Sequence, residues 1–195
     1  QHEAEIEAFE ASRFLVSNQE FLQFVEAGGY RNDNYWEEEG LAWRQFSEAK
    51  HPTFWLKNKQ GWQLRLMTEV VTMPWNWPVD VNYHEAKAFC NWKAEQSGLP
   101  VRLPTEDEWY RLYDHAGVAE LDCNQASANI HLDYAASSCP VDQFAHGDLY
   151  DVVGNVWQWT ETPTYPFDHF KVHPLYDDFT TPTFDGQHNL IKGGS

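Results

Sequence analysis

The sequence lacks the features that direct a protein to a membrane or to nucleic acid. It contains no apolar run of about 18 residues that could span a bilayer, and its start, QHEAEIEAFEASRF, has neither the basic nor the apolar part of a signal peptide. Basic residues are also few, with 13 Lys and Arg against 30 Asp and Glu. The formal charge of −17 would repel phosphate backbones and anionic lipid. We therefore expect a soluble protein without a membrane or nucleic-acid partner.

The sequence has few cysteines, and their spacing does not match a paired motif. The three residues, Cys90, Cys123 and Cys139, make an odd count without C-x-x-C spacing, which argues against a disulfide framework and a structural zinc site. A reducing cytoplasm is the simplest setting. Cys90 lies on the apolar stripe of a predicted helix, so we expect it to pack in the core. Cys123 and Cys139 lie in polar loops without an adjacent base that would activate a thiol.

Most catalytic signatures are missing as well. The zinc-protease pattern H-E-x-x-H fails at His2 and at His84, and the sequence has no G-x-S-x-G, Walker loop or dinucleotide fingerprint. The stretch His131 to Asp133 has two residues of the kind found in a two-His-one-carboxylate iron site. Its alternative is a surface turn. The residues by themselves therefore predict no reaction.

What the sequence does have is aromatic side chains. Ten Trp, nine Tyr and twelve Phe make 16% of the chain, about twice an average composition. Rings in such number suit an interior filled by side chains rather than by long strands. At 195 residues the chain is long enough for one domain with a core of its own.

Local signals predict short helices and short strands. Three helix starts are marked by a capping residue followed three positions later by Glu, and Gly ends each helix. These pairs are Ser17 with Glu20, Asn82 with Glu85, and Thr105 with Glu108. Apolar and polar residues alternate over residues 61–70, which predicts a half-buried strand. Brief extended pieces are predicted over residues 139–144, 155–160 and 189–194. A loop is predicted over residues 30–60, with Glu37 to Glu39 as a solvated face. The fold class is therefore α+β.

Four stretches resemble the formylglycine-generating-enzyme, or sulfatase-modifying-factor, domain. They are SNQEFLQFVEAGGY, PVDVNYHEAKAFCNWKAEQSGLPVRLPTEDEWYRLY, GNVWQWT and IKGGS, in the family's order across nearly the whole chain. The resemblance implies one domain over residues 1–195, a variant of the C-type-lectin fold with short helices around small antiparallel sheets. It also implies that Trp109, Trp157 and Trp159 are core rings, with Gly154-Asn155 turning sharply into a strand.

Two of these regions are more specific. FEASRFLVSNQEFLQFVEAGGY and, above all, residues 160–195 resemble the sulfoxide synthases of thiol-histidine biosynthesis, in particular the ovothiol-pathway type that forms 5-histidylcysteine sulfoxide. That resemblance implies an oxidoreductase whose substrates are cysteine, histidine and O2. It also implies Fe(II) held by an upstream helical-bundle domain, and a methyltransferase domain that often follows downstream. No H-x-x-x-H-x-E iron motif occurs in this chain, so we expect the isolated piece to be inactive. The chain stops at LIKGGS, within a predicted strand that enters a tight turn, so we also expect a truncation at the C-terminus.

The resemblance implies specific site residues. The family's active-site tyrosine falls at Tyr176, with Tyr165 as the alternative, and a phenol that stays protonated at neutral pH can donate a proton or a hydrogen atom. His173, Asp177 and Asp178 flank Tyr176. A second implied site would bind Ca²⁺ at Asp151, Gly154, Val156 and Gln158, where the family has Glu at the last position.

Two other functions fit the same pattern. A formylglycine generator acting on sulfatase cysteines would need a cysteine pair beyond the GGS of residues 193–195. A non-catalytic lectin-like module would instead bind a ligand by stacking it on exposed rings. Cysteine and histidine recognition, sulfatase recognition and ligand stacking therefore remain open at the level of sequence.

Overall fold

The computed structural model describes residues 3–118 and 127–195, so Cys123 lies outside the described residues. The three predicted helices are confirmed as α1 (Asn18–Glu26), α3 (Tyr83–Ser97) and α4 (Glu106–His115). Both α3 and α4 begin with complete capping boxes, in which cap side chain and Glu exchange bonds with each other's backbone N–H. At α1 only the Ser17 side chain makes its bond, accepting from the Glu20 N–H at 3.2 Å. Local capping chemistry therefore fixes where each of these helices starts.

A further helix, α2 (Glu38–Ser47), lies where the sequence pattern predicts a loop, so that prediction was wrong. Its N-cap Glu37 makes no side-chain capping bond, and it ends at Glu48 in the left-handed region rather than at a glycine. The usual start and stop signals are thus absent. Glu38 and Glu39 lie in the first turn, where negative charge is favourable beside the unpaired N–H groups. The acidic run is exposed, as predicted, and it also forms the start of the helix.

The strands form small antiparallel sheets. β1 (Trp55–Asn58), β2 (Gly61–Arg65) and β3 (Val70–Thr72) make a three-stranded sheet in chain order. The single strand predicted over residues 61–70 is therefore all of β2, a turn, and the first residue of β3. The turn is closed where the Leu66 N–H donates to the Glu69 carbonyl at 2.8 Å. Apolar and polar residues continue to alternate through this turn, so the sequence pattern gave no sign that the strand ends there.

The second half of the chain has two strand pairs. β4 (Ala145–His146) pairs with β5 (Leu149–Tyr150), and β6 (Gln158–Pro163) pairs with β7 (Asn189–Lys192). The extended piece predicted over residues 139–144 is turn instead. A short helix, α5 (Asp177–Thr180), lies between β6 and β7. Among the described residues, none of the helices is long and apolar enough to cross a membrane.

Aromatic rings from α1, α3 and the segments between them fill the main core. Phe21 stacks on Phe89 at a centroid distance of 5.3 Å, and Phe24 meets both rings edge-on at 5.3 and 6.1 Å. Trp36, Trp55 and Trp92 close the cluster. Offset and edge-on contacts are the geometries that aromatic pairs prefer, so this core depends on side-chain packing as the composition predicts.

A smaller cluster forms around α4. Trp109, Ala116, Val118 and Val152 are buried together. Glu108, which completes the capping box of α4 from its third position, accepts two bonds from the Arg102 guanidinium at 2.6 and 2.8 Å. That guanidinium holds the pKa of Glu108 down at about 2. The turn that leads into α4 is therefore held by the bidentate Arg102–Glu108 ion pair as well as by the N-cap.

Candidate functional site

β6 and β7 form a two-stranded antiparallel sheet, called the stalk below. The predicted tyrosines lie in the segment that connects these two strands. Gln158 pairs with Lys192 at one end and Pro163 with Asn189 at the other, with an irregularity in the register between them. Thr160 is fully buried in the stalk, and its hydroxyl donates to a β7 carbonyl at 2.8 Å. The two strands are thus held together by side chains as well as by their ladder.

Two lysine–glutamate ion pairs link the stalk to α3 and α4. Lys87 of α3 donates to Glu161 of β6 at 2.5 Å, and Lys192 of β7 donates to Glu106 at the start of α4. Burial lowers the pKa of each lysine, but these bonds raise it above its ordinary value on balance. The sequence pattern missed both pairs, because partners separated by 74 and 86 positions leave no local signal.

Residues 164–188 extend from the stalk and are called the β6–β7 loop below. The loop is organised internally: the Phe170 and Phe184 rings meet edge-on at 5.7 Å, and the Thr164 N–H donates to the His188 carbonyl at 2.6 Å. Asp185 accepts from the His188 ring at 2.9 Å, and the ring holds the pKa of Asp185 below its ordinary value. The two limbs of the loop are therefore tied to each other.

The β6–β7 loop carries several large apolar side chains that are exposed. Phe167 is 88% exposed and Leu175 is 78% exposed. The other exposed members of this set are Tyr165, Phe170, Val172 and Tyr176. Several large apolar side chains exposed within one loop are unusual on soluble proteins except where something binds. The loop is therefore a candidate surface for contact with a substrate or another domain.

Tyr176, the predicted active-site tyrosine, is exposed and precedes α5 directly. Its ring lies 5.6 Å from the His173 ring, and its N–H donates to the His173 carbonyl at 2.9 Å. Asp177 and Asp178 follow in the first turn of α5, and Asp177 Oδ1 accepts from the Asp178 N–H. The structure therefore brings His173 and Tyr176 together, with both carboxylates next to them in an exposed turn.

Tyr165, the alternative, lies in the same loop at the end of the stalk. It is 63% exposed, and its hydroxyl lies 3.6 Å from the position a Cβ on Gly186 would take. Tyr165 and Tyr176 thus contact different parts of the loop. Either phenol is accessible to a molecule bound over it, and the choice between them stays a prediction.

The three tryptophans predicted as core rings have different positions. Trp109 is buried, whereas Trp159 is half-buried and donates through Nε1 to the Val81 carbonyl at 3.1 Å. Trp157 is 57% exposed, so its assignment to the core was wrong. β6 begins only at Gln158, and Trp157 still belongs to the turn before it. Its ring therefore does not share the buried side of the strand.

The turn before β6 contains a buried polar network. Asn155 donates through Nδ2 to the Asp151 carboxylate at 3.0 Å and to the Cys139 carbonyl at 3.1 Å. Its Oδ1 accepts from the Cys139 N–H at 2.8 Å. Asp151 and Asn155 both adopt positive φ, 49° and 68°. Gly154 is required there, because a Cβ would lie 2.9 Å from the Asn129 carbonyl.

The predicted calcium residues do come together in this turn. Burial raises the pKa of Asp151 to about 7 even though Asn155 donates to it, and its Oδ1 is buried without a partner. Gln158, however, donates through Nε2 to the Asp151 carbonyl at 2.8 Å and points at the Val152 carbonyl at 3.4 Å. A calcium ion needs oxygen ligands directed at it, whereas the side chain at the family's Glu position here presents an amide N–H group, bonded to the Asp151 and Val152 carbonyls that are not in the implied ligand set. The donor set does not fit calcium in this arrangement.

Of the remaining sequence candidates within the described residues, Cys139 contacts the turn through its backbone N–H and carbonyl. His131 and Leu132 lie in an exposed turn with positive φ, in keeping with the surface-turn alternative. Cys90 and Cys139 are free and buried, and burial raises the pKa of each thiol to about 11. Over residues 3–118 and 127–195, no group of three or more His, Cys, Asp or Glu side chains is placed to hold a metal ion.

Comparison with known proteins gives consistent matches over the full length of the chain. The chain is 30% identical to a hercynine oxygenase of Mycolicibacterium smegmatis, over 100% of this chain and 47% of that protein. It is 24% identical to ergothioneine biosynthesis protein 1 of Schizosaccharomyces pombe, over 97% of this chain and 22% of that protein. It is 27% identical to the formylglycine-generating enzyme of Bos taurus, over 97% of this chain and 57% of that protein.

The chain thus spans about half the length of the hercynine oxygenases that it matches. The sulfatase-modifying factor enzyme 1-like domain matches residues 1–195. The short helices and small antiparallel sheets agree with that domain's fold. Because the match covers every residue, the chain belongs to the sulfatase-modifying factor enzyme 1-like family.

Proposed function

We propose that this chain is the substrate-facing domain of an iron- and O2-dependent sulfoxide synthase that joins cysteine to the imidazole ring of histidine. The observation that carries the proposal is similarity to hercynine oxygenases along the entire chain, at 29–30% identity. The ergothioneine biosynthesis protein of fission yeast matches over nearly the same span. Histidine rather than hercynine as the acceptor, and therefore an ovothiol-type product, follows from the resemblance of residues 160–195.

The iron would be held outside this chain. The residues described here offer no cluster of metal-binding side chains, and more than half of the M. smegmatis relative lies outside the region that this chain matches. We therefore place Fe(II) on an upstream domain, where it would supply the activation of dioxygen. A downstream methyltransferase domain is a further proposed part of the same protein, and we place the enzyme in the cytoplasm.

The task of this chain would be to cover and orient the substrates. The stalk is fixed to α3 and α4 through Lys87 and Lys192, so it can hold the β6–β7 loop at a set height over a neighbouring domain. The exposed rings of that loop would exclude water from the contact. Tyr176 would then face the bound substrates and supply a proton from its phenolic hydroxyl.

The experiment uses the full-length protein. It would be loaded with Fe(II) under anaerobic conditions, exposed to air with cysteine and either histidine or hercynine, and its products identified by mass spectrometry. Histidylcysteine sulfoxide as the main product supports the ovothiol-type proposal. Coupling to hercynine alone would replace it with an ergothioneine-type activity, and coupling to neither acceptor would overturn the synthase proposal.

Tyr176→Phe tests the proposed catalytic group in the same assay. Loss of the phenolic hydroxyl should lower sulfoxide formation by about 10²-fold or more, the usual contribution of a positioned proton donor. Tyr165→Phe tests the alternative position. Tyr134→Phe is a matched control, because Tyr134 is also partly exposed but packs against Phe144 away from the loop. An unchanged rate and product with Tyr176→Phe would remove Tyr176 from the site.

A formylglycine generator is the second candidate. The Bos taurus enzyme matches 97% of the chain, which is the observation in its favour. Incubating the full-length protein with a cysteine-containing sulfatase peptide would reveal formylglycine by mass spectrometry if this candidate is correct. If neither formylglycine nor a sulfoxide forms, a non-catalytic lectin-like binding module is the reading that remains.

A further inference from the structure

The side chain of Gln158 bridges the two ends of the turn that precedes β6. Its amide nitrogen lies 2.8 Å from the Asp151 carbonyl oxygen and 3.4 Å from that of Val152. Carbonyl oxygens can only accept hydrogen bonds, so the group that faces them must be the NH2 end of the amide. Gln158 therefore ties the first strand residue of β6 to the beginning of the turn.

The surrounding backbone is shaped to admit this amide. A Cβ on Gly193 would lie 2.6 Å from Gln158 Nε2 and 3.2 Å from the Val156 carbonyl oxygen. Gly193 has φ of 88° and its carbonyl accepts from the Gly154 N–H at 3.0 Å. The Gln158 amide, the Val156 carbonyl and the turn after β7 thus meet at one point, and only glycine at position 193 leaves room for them.

The charges at this point also favour an amide. Asp151 is the one carboxylate hydrogen-bonded within the turn, and one of its oxygens is already occupied by Asn155. Calcium affinity increases with the number of charged oxygen ligands, and a neutral glutamine supplies none. A hydrogen-bond donor directed at carbonyl oxygens stabilises their negative partial charge, as a bound cation would. Unlike a cation, it needs no additional carboxylate ligands nearby.

We infer that the Gln158 amide takes the place of a bound divalent cation, so that the turn from Asp151 to Gln158 is held together without metal. The calcium site that the family resemblance implies would draw on Gly154 and Val156, whereas the Gln158 amide here closes the turn through the carbonyls of Asp151 and Val152. A single change, Gln158→Glu, would restore the carboxylate that the implied site has at this position. The unmodified protein should be indifferent to calcium, and this variant should depend on it.

The first test compares the full-length protein in 1 mM CaCl2 and in EGTA. Hydrogen–deuterium exchange of peptides covering residues 151–160 provides a readout local to the turn, whatever other domains bind. Unchanged exchange, together with an unchanged melting temperature, is the expected result. Slower exchange of these peptides in calcium would overturn the inference, because it would show an ion bound where the amide lies.

The second test uses variants. Gln158→Glu in EGTA should melt lower by roughly 3–10 °C, since two carbonyls lose their donor and face a carboxylate, and calcium should restore most of that loss. Gln158→Met is the matched control: it removes the donor at similar length, so it should lose stability without a response to calcium. A Gln158→Glu protein that melts normally in EGTA, or that calcium does not rescue, would contradict the replacement.

Discussion

The α1–α3 core and the β6–β7 loop use the same kind of side chain in opposite ways. In the core, Phe21, Phe24 and Phe89 lie within 6.1 Å of one another and each is at most 5% exposed. In the loop, Phe167 is 88% exposed and Tyr176 is 59% exposed. Burial of a ring stabilises the fold by removing apolar area from water. Folding buries the loop rings only in part, through contacts such as the Phe170–Phe184 pair, so their exposed surface is available to a molecule or domain that binds the loop.

The two regions also differ in their local support. Core rings lie on helices that begin with capping bonds and are packed from several sides. The loop is held by a few contacts of its own, among them the Phe170–Phe184 pair and the bonds to Asp185. A segment with few buried contacts opens locally at low cost. We therefore expect changes in the core to alter stability and changes in the loop to alter activity.

The largest effect should come from Phe24→Ala in the core. Phe24 is fully buried, and removing a buried phenyl ring costs roughly 3–5 kcal/mol through lost transfer energy and the cavity left behind. Urea denaturation followed by tryptophan fluorescence would measure the free energy of unfolding. Phe46→Ala is the matched control, because Phe46 is 92% exposed and should change it by less than about 0.5 kcal/mol. Equal losses for the two variants would erase the distinction between buried and exposed rings.

The next effect concerns a carboxyl group buried beside the same core. Glu85 is 2% exposed and accepts from the Tyr30 hydroxyl at 2.5 Å and from the Asn82 N–H at 2.9 Å. Burial raises the pKa of Glu85 to about 7, although both of these bonds lower it. Burial together with the Glu85 charge likewise raises the pKa of Tyr30. The folded protein therefore keeps the proton on Glu85 to a higher pH than the unfolded chain does.

This raised pKa sets the sign of a pH dependence. Between about pH 4.5 and 7 the folded state binds more protons at Glu85 than the unfolded state, so the unfolding free energy should fall as pH rises through that window. The full drop from this group is roughly 3 kcal/mol. Glu85→Gln should remove that share of the slope because an amide does not titrate, and the amide oxygen can still accept from the Asn82 N–H while its NH2 donates to the Tyr30 oxygen. Glu48→Gln, an exposed change, should leave the slope as it is. A rise in stability with pH that only Glu85→Gln abolishes would show that the sign is reversed.

The comparison explains how much of the molecule the sequence could predict. α3 and α4 were predictable because their caps are local, with Asn82 and Thr105 each three residues from the Glu that completes the box. α2 was not, because it has neither a capping side-chain bond nor a terminal glycine and is held instead by packing. Its Gly40, for example, lies so close to α3 that a Cβ would come within 3.0 Å of the His84 Cβ.

The candidate site was predictable only in part, for a related reason. Resemblance to a family pointed to Tyr176 and to the turn around Asp151, but it could not show that Trp157 is exposed or which end of the Gln158 amide faces the turn. Both depend on where β6 begins and on contacts with Gly193, 35 positions away along the chain. Such contacts exist only in the folded structure.

The smallest effect on stability should come from Phe167→Ser in the loop, and it tests the other half of the comparison. Because Phe167 is 88% exposed, its removal should change the free energy of unfolding by less than about 0.5 kcal/mol. If the loop rings cover substrates against a neighbouring domain, the same change should raise the KM for cysteine or the histidine acceptor in the full-length protein while the melting temperature stays constant. Phe46→Ala, equally exposed but on α2, should alter neither quantity. A loss of more than 1 kcal/mol with Phe167→Ser would instead place the loop rings in the structural core, and the division between a stabilising and a binding set of aromatic residues would have to be abandoned.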